Sequence, residues 1–306
     1  MSRNLFRAGL IASAALIAAT AAQAQSSTVT VYGVMDLFLQ YGHGGAGTQT
    51  SVQSGGVSGS RLGFKGNEDL GGGLQAKFVL EQGINADAGS LGQGSRAWGR
   101  QAWVGLSSAN WGSLSAGRQY IPQYTILDSL DTFGTGAGSA AESGVVTTVS
   151  RADNSVLYVT PSVNGFQGTV MTALGEATTG SRDNSNLYSV GGTYANGPFS
   201  AGVAVNVFKA SANNNVDSRY ALLTASYDLG VARLSGALQS VRNLNNVEAN
   251  DRTEAMFGVN VPVTDADVVS AQVGASRTAH TSGGSGVQWS LGEAHALSKQ
   301  IGRAHV

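Results

Sequence analysis

The chain has 306 residues with 43 Gly, 4 Pro, no Cys, 12% charged residues and a formal net charge of −1. Ordinary globular domains carry about 25% charged residues and about 7% Gly, so charge is scarce here and Gly abundant. The lack of Cys excludes disulfide frameworks, Cys-ligated zinc and Cys nucleophiles, and the near-neutral charge does not suit a nucleic-acid partner.

From the N-terminus, Arg3 and Arg7 precede a small-residue apolar run, Ala8–Ala21, and an Ala22-Gln23-Ala24 cleavage site. That order of features predicts a secretory signal peptide over residues 1–24, cut between Ala24 and Gln25. The run is too short for a membrane-spanning helix, which needs about 20 apolar residues.

Beyond it the hydrophobic period is two. Val29 to Tyr41 alternates, with Asp36 and Gln40 on the polar face, and Leu74 to Glu81 sets Lys77 and Glu81 against apolar neighbours. The pattern continues through Phe199–Val207, Leu222–Tyr227, Phe257–Val261 and Val269–Ser276. Fourteen such segments are predicted, each about ten residues long, enough to cross a bilayer obliquely. Connections alternate between short turns, such as Asn196-Gly197-Pro198, and long polar stretches, including residues 42–58, 82–95 and 119–151. Period two with alternating connections predicts an all-β, transmembrane antiparallel barrel in an outer membrane. It also explains the low charge, because a lipid-facing charge costs about 2–4 kcal/mol near the midplane.

Several strings carry a family resemblance: Val31-Tyr-Gly-Val-Met-Asp36, Ser60-Arg-Leu-Gly-Phe-Lys-Gly-Asn-Glu-Asp-Leu-Gly71, Arg100-Gln-Ala-Trp-Val-Gly-Leu106, Leu114-Ser-Ala-Gly-Arg-Gln119 and Arg151-Ala-Asp-Asn-Ser-Val-Leu-Tyr158. They resemble the general diffusion porins of Gram-negative bacteria, especially β-proteobacteria. The resemblance implies a 16-stranded barrel, of which about 14 strands are present over residues 25–299. It further implies a homotrimer in the cell outer membrane, contacting lipid and lipopolysaccharide and passing ions and small hydrophilic solutes. A loop over 119–150 should fold into the lumen, its acidic residues Asp128, Asp131 and Glu142 facing a basic wall of Arg61, Lys65, Lys77, Arg118 and Arg151.

Parity supports an inward direction for Arg61, Lys65 and Lys77, whereas Arg118 shares parity with Leu114 and Ala116 and needs a bulge to turn inward. Arg96 and Arg100 are expected at the mouth, and Trp98, Trp103 and Trp111 in an interface girdle. No cofactor, metal or enzymatic activity is expected: of the four His, His43 and His280 fall in loops without a paired nucleophile motif. The alternatives left open are a substrate-specific channel and a non-conducting adhesin or structural barrel. The family continues through two further strands to a terminal Phe, whereas residues 300–306 lack alternation and an aromatic end. That segment is therefore expected to be a non-native tail from adapter read-through, leaving the barrel two strands short and unable to close.

Overall fold

The computed structural model describes residues 27–44, 47–178, 181–211, 216–279 and 284–305. The signal segment 1–24, the cleavage pair Ala24 and Gln25, and His280 lie outside the described residues. Strand β1 (Thr28–Val34) is followed by β2 (Leu37–Gly44) and β3 (Gly47–Ser54), which pair with each other as a hairpin. Then come β4 (Arg61–Gly71), β5 (Leu74–Asn85), the two-residue β6 (Ser90–Leu91), β7 (Gln101–Ser108) and β8 (Gly112–Tyr120). Helix α1 (Pro122–Leu130) opens the long connection to β9 (Arg151–Val159), and β10 (Phe166–Ala173), β11 (Leu187–Asn196) and β12 (Phe199–Phe208) continue the sheet. The remaining strands are β13 (Ser218–Asp228), β14 (Arg233–Arg242), β15 (Arg252–Pro262), β16 (Asp267–Thr278), β17 (Gly286–Ala296) and β18 (Gly302–His305). Apart from the hairpin and β6, which adds to β5, every strand pairs antiparallel with its neighbour in the order β1-β4-β5-β7 and then consecutively to β18.

Two elements depart from expectation. The first strand does not run unbroken to Tyr41. The Asp36 carboxylate accepts the N–H groups of Val57 and Ser58 at 2.8 and 2.7 Å, and its carbonyl accepts Gly55 N–H at 2.9 Å. Those bonds break the strand at Asp36, and the predicted loop 42–58 contains the β2–β3 hairpin instead. At the other end, residues 302–305 form β18 against Glu293–Ala296, although no alternation marks them. Ladder pairing needs backbone donors and acceptors rather than a side-chain pattern.

The sheet is inside-out. Along β12 and β13, Val203, Val205 and Leu223 are about half exposed, whereas Asn206 and Thr224 on the opposite parity are buried. β14 to β16 repeat this, with Leu238, Phe257 and Val273 outward and Gln239, Glu254 and Gln272 buried inward. The outward parity carries the apolar side chains and the inward parity surrounds the lumen, the arrangement a membrane barrel requires. Among the described residues no helix is long and apolar enough to cross a membrane; the strands do so.

Connections alternate as expected. Pairs such as β4–β5 and β11–β12 are joined by two residues, Gly72-Gly73 and Gly197-Pro198, while β8–β9, β12–β13 and β14–β15 have long connections at the other end. The longest, 121–150, turns into the lumen. Pro122 starts α1 where its missing N–H costs nothing, and Ile126, Leu127, Ala140 and Val146 pack on Ala204, Leu222, Ala237 and Met256 of the wall. Room for this comes from wall glycines: a Cβ at Gly202 would lie 2.5 Å from Ile126, and one at Gly258 would overlap the Thr132 side chain.

Candidate functional site

The inward loop is held against β14–β17 by amides and one buried ion pair. Glu254, with a fully buried side chain, accepts Thr147 N–H at 2.8 Å, Thr147 Oγ1–H at 2.6 Å and Gln239 Nε2–H at 2.7 Å, and pairs with Arg252 Nε at 3.2 Å. Gln239 in turn accepts from Gln123 Nε2 at 2.5 Å, reaching the first turn of α1. Further along, Gln272 accepts Ala140 N–H and donates to Asp131, both at 2.7 Å, and Asn260 donates to the Thr132 carbonyl at 3.0 Å. Gln123, Gln239, Glu254 and Gln272 are themselves buried, so removing the partner of one leaves a buried polar group unpaired.

Pinned to that side, the loop leaves a polar cavity of about 480 Å³ on the opposite side of the lumen. Its wall presents Arg61, Arg100, Arg151 and Tyr120, and the loop presents Tyr124, Asp128, Thr135 and Glu142. Arg100 is buried and neutralised by Glu81, whose Oε1 lies 2.8 Å from Arg100 Nε while its Oε2 accepts from Tyr32 at 2.9 Å. Arg61 donates to the Gly59 carbonyl and Ser58 Oγ, and Arg151 to Tyr120 and Ser150. Among the described residues neither Arg61 nor Arg151 forms an ion pair, so their charge is left to the cavity.

Tyr120 organises this wall. Its phenol oxygen accepts from Arg100 Nη2 at 2.8 Å and Arg151 Nη2 at 2.6 Å, and the Arg151 guanidinium lies 4.3 Å from its ring centroid. The ring stacks on Tyr124 at 5.3 Å. The Tyr124 hydroxyl bonds Thr135, and Thr135 donates to Asp128 at 2.6 Å. Burial, reinforced by the nearby Asp131 carboxylate, pushes the Asp128 carboxyl above the usual range in spite of the Thr135 hydrogen bond.

Of the sequence-predicted residues, Arg61, Arg151, Asp128 and Glu142 therefore line one cavity. The other four do not join them. Asp131 turns away from the cavity and closes a turn, accepting Phe133 N–H, Thr135 N–H, Ser139 Oγ–H and Gln272 Nε2–H. Lys65 has inward parity but is exposed, with its ammonium 5.4 Å from the Tyr32 ring centroid. Lys77 also has inward parity, opposite Asn67 and Gly105, and lies towards the short-turn end, below the cavity. For Arg118 the anticipated bulge exists, with Gly117 at φ 135° and a register shift between Gly117 and Gln119. The bulge turns Gln119 inward, buried on Ser155, and leaves Arg118 in register with Ala102. There it donates to the Gly99 carbonyl at 2.8 Å and pairs with Asp153 at 2.6 Å, which also holds Arg96 at 2.7 Å.

Residues missed by sequence reasoning include Arg100, assigned to the mouth, and Tyr120 and Tyr124, not singled out at all. Arg100 reaches the cavity because Glu81 pairs with Gln101 across β5 and β7. Only a known register would have shown that. Trp103 also differs from expectation: it has inward parity, opposite Val79 and Gly117, and donates to Gln101.

Comparison with known proteins bears on the whole barrel. Residues 12–302 match the family described as Gram-negative porin. An outer membrane porin protein of Bordetella pertussis is 36% identical over 253 residues, covering 71% of this chain and 63% of the Bordetella protein. Outer membrane porin protein 32 of Delftia acidovorans is 36% identical over 306 residues, covering 95% of this chain and 86% of its own length. Among solved structures, the anion-selective porin from Comamonas acidovorans superposes with a TM-score of 0.79 at 29% identity, covering 90% of this chain and 86% of that one.

Proposed function

The chain belongs to the Gram-negative porin family and is an outer-membrane channel for passive diffusion, and from that premise we propose that Arg61 and Arg151 make it favour anions. The observation that carries this reading is that both guanidiniums line the narrowed lumen without an ion pair, facing Asp128 and Glu142 on the loop. Opposed charges across water produce a transverse field. At an effective dielectric near 20, unit charges about 8 Å apart interact by roughly 2 kcal/mol, enough to orient a dipolar solute and weak enough to release it. Arg100 adds little net charge because Glu81 compensates it, and on the loop side Glu142 is exposed, where water screens its charge. The balance therefore favours anions, and the relative from Comamonas acidovorans that superposes on this chain bears the description anion-selective.

Transport needs no chemical step, so no catalytic residue is assigned. We also propose export through cleavage after Ala24, assembly as the homotrimer implied by the family resemblance, and contact of the outward face with outer-membrane lipid and lipopolysaccharide. The selectivity reading is tested by the reversal potential of the channel in a planar bilayer under a salt gradient. Replacing Arg61→Glu and Arg151→Glu together should move that potential from the anion side to the cation side. An unmoved potential would remove both residues from the selectivity step.

A further inference from the structure

The strap that joins β3 to β4, residues 55–60, edges the polar cavity, which Gly55, Val57, Ser58 and Gly59 all line. It is packed on three sides. A Cβ at Gly56 would lie 2.8 Å from the Phe38 ring, one at Gly59 would lie 2.7 Å from Arg100 Nη1, and one at Gly136 on the loop would lie 2.6 Å from the Val57 carbonyl oxygen. The Gly56 carbonyl accepts Ala137 N–H at 2.6 Å, so the strap also holds the tip of the inward loop, backbone to backbone.

The strap sets the direction of Arg61 as well. Arg61 Nε donates to the Gly59 carbonyl at 2.8 Å, and its Nη2 donates to Ser58 Oγ at 2.5 Å. Asp36 in turn holds the strap. One carboxylate oxygen, Oδ2, accepts Val57 N–H at 2.8 Å and Ser58 N–H at 2.7 Å, and the Asp36 carbonyl accepts Gly55 N–H and Ser60 Oγ–H, both at 2.9 Å. With Gly at 55, 56 and 59 the strap has few side chains to lock its shape, so that shape depends on these bonds. The two to the carboxylate are of the stronger, charge-assisted kind.

We propose that Asp36 is a positioning residue for permeation: by fixing the strap, it fixes where the Arg61 guanidinium stands and how far the loop tip lies from it. The proposal rests on the reading of Arg61 as a selectivity residue. Released from Ser58 and Gly59, Arg61 closes on Asp128 or Glu142 across the same cavity, and the closed pair offers no net charge to a passing anion. Asp36 acts here through geometry, because its own negative charge opposes anions; removing that charge alone should favour them.

Two substitutions separate geometry from charge. Asp36→Asn and Asp36→Ala lose the same charge, but the amide oxygen of Asn still accepts both N–H groups. In a planar bilayer under a salt gradient, Asp36→Ala should move the reversal potential towards the cation side, whereas Asp36→Asn should keep it at the wild-type value or shift it further to the anion side. Hydrogen exchange of the full chain in detergent reads the strap directly. At residues 55–60 and 133–139 it should be about tenfold faster in Asp36→Ala, the loss of one to two hydrogen bonds to a charged group, and close to wild type in Asp36→Asn. Gly136→Ala changes no charge and presses a methyl group on the Val57 carbonyl, so it should shift the potential in the direction of Asp36→Ala even where that variant does not fold. A shift in Asp36→Asn equal to that in Asp36→Ala would overturn the proposal by assigning the effect to charge, and a wild-type potential in Gly136→Ala would overturn it too. A potential that moves in the Arg61→Glu, Arg151→Glu double variant but not in Asp36→Ala overturns this proposal alone. One that moves in neither overturns the selectivity reading with it.

Discussion

Along β11 to β16 the inner wall mixes neutral polar residues, such as Asn206, Thr224, Gln239 and Gln272, with the apolar Ala204, Leu222, Ala237 and Met256 around one buried pair, Arg252–Glu254, and the loop is bonded to it at Thr132, Ala140 and Thr147. The wall of β4 and β9 is instead cationic, with Arg61 and Arg151 uncompensated and the loop held off by an open cavity. Neutral amides tolerate a dehydrated contact because each donor finds an acceptor; unpaired guanidiniums do not, because burying an uncompensated charge costs far more. The loop therefore leans on the neutral wall, and water and solutes take the charged side. On the proposed reading, one side fixes where the constriction is and the other fixes what passes it.

The largest test breaks the pinned side. Glu254→Ala leaves Arg252 without its carboxylate and Thr147 N–H without its acceptor, a loss on the order of 3–5 kcal/mol for a buried pair. A lower unfolding temperature in detergent and noisier single-channel current are the expected outcomes. Glu254→Gln, whose amide oxygen still accepts, should recover part of both. Wild-type stability and quiet current in Glu254→Ala would show that the loop is held by apolar packing alone.

These two walls were unequally legible in the sequence. β12 to β16 alternate so regularly that Asn206, Gln239, Glu254 and Gln272 could be assigned inward from period two alone, and the long connection after β8 marked the loop. What the residues could not show was register. Glu81 beside Arg100, and Tyr120 between two guanidiniums, are cross-strand and strand-end meetings that depend on which residues face each other across β5, β7, β8 and β9. Alternation places Asp36 on the polar face of one continuous strand, yet its two bonds to the 57–58 backbone end that strand. A side chain that caps a distant backbone overrides local alternation and leaves no periodic trace.

A smaller effect sharpens the charged side through Asp128. Burial and Asp131 raise its carboxyl pKa in the folded chain, so the native state holds this proton more tightly than the unfolded state. The stability contribution is thus greatest at low pH and falls as pH rises through the raised value. Selectivity follows the same titration: protonation removes one negative charge facing Arg61 and Arg151, so anion preference should grow as the pH falls, beginning above the range of an ordinary Asp. Asp128→Asn should hold the channel at the low-pH preference at every pH. A reversal potential in the Asp128→Asn channel that still shifts over the same pH range would assign the titration to another group.

The smallest expected effect is at Arg118, which shares a motif and a charge with the constriction but not its place. The Gly117 bulge gives the inward position to Gln119, and Arg118 is tied to Gly99 and Asp153 away from the cavity. Asp153 is 42% exposed and already shared with Arg96, so solvent screening reduces the pair to about 1 kcal/mol or less. Arg118→Gln should therefore lower stability slightly and leave the reversal potential at its wild-type value, in contrast to the Arg61 and Arg151 charge reversals. If Arg118→Gln moves that potential as far as Arg61→Gln does, Arg118 acts on the permeating ion, and the division between a pinning wall and a selecting wall fails at its nearest neighbour.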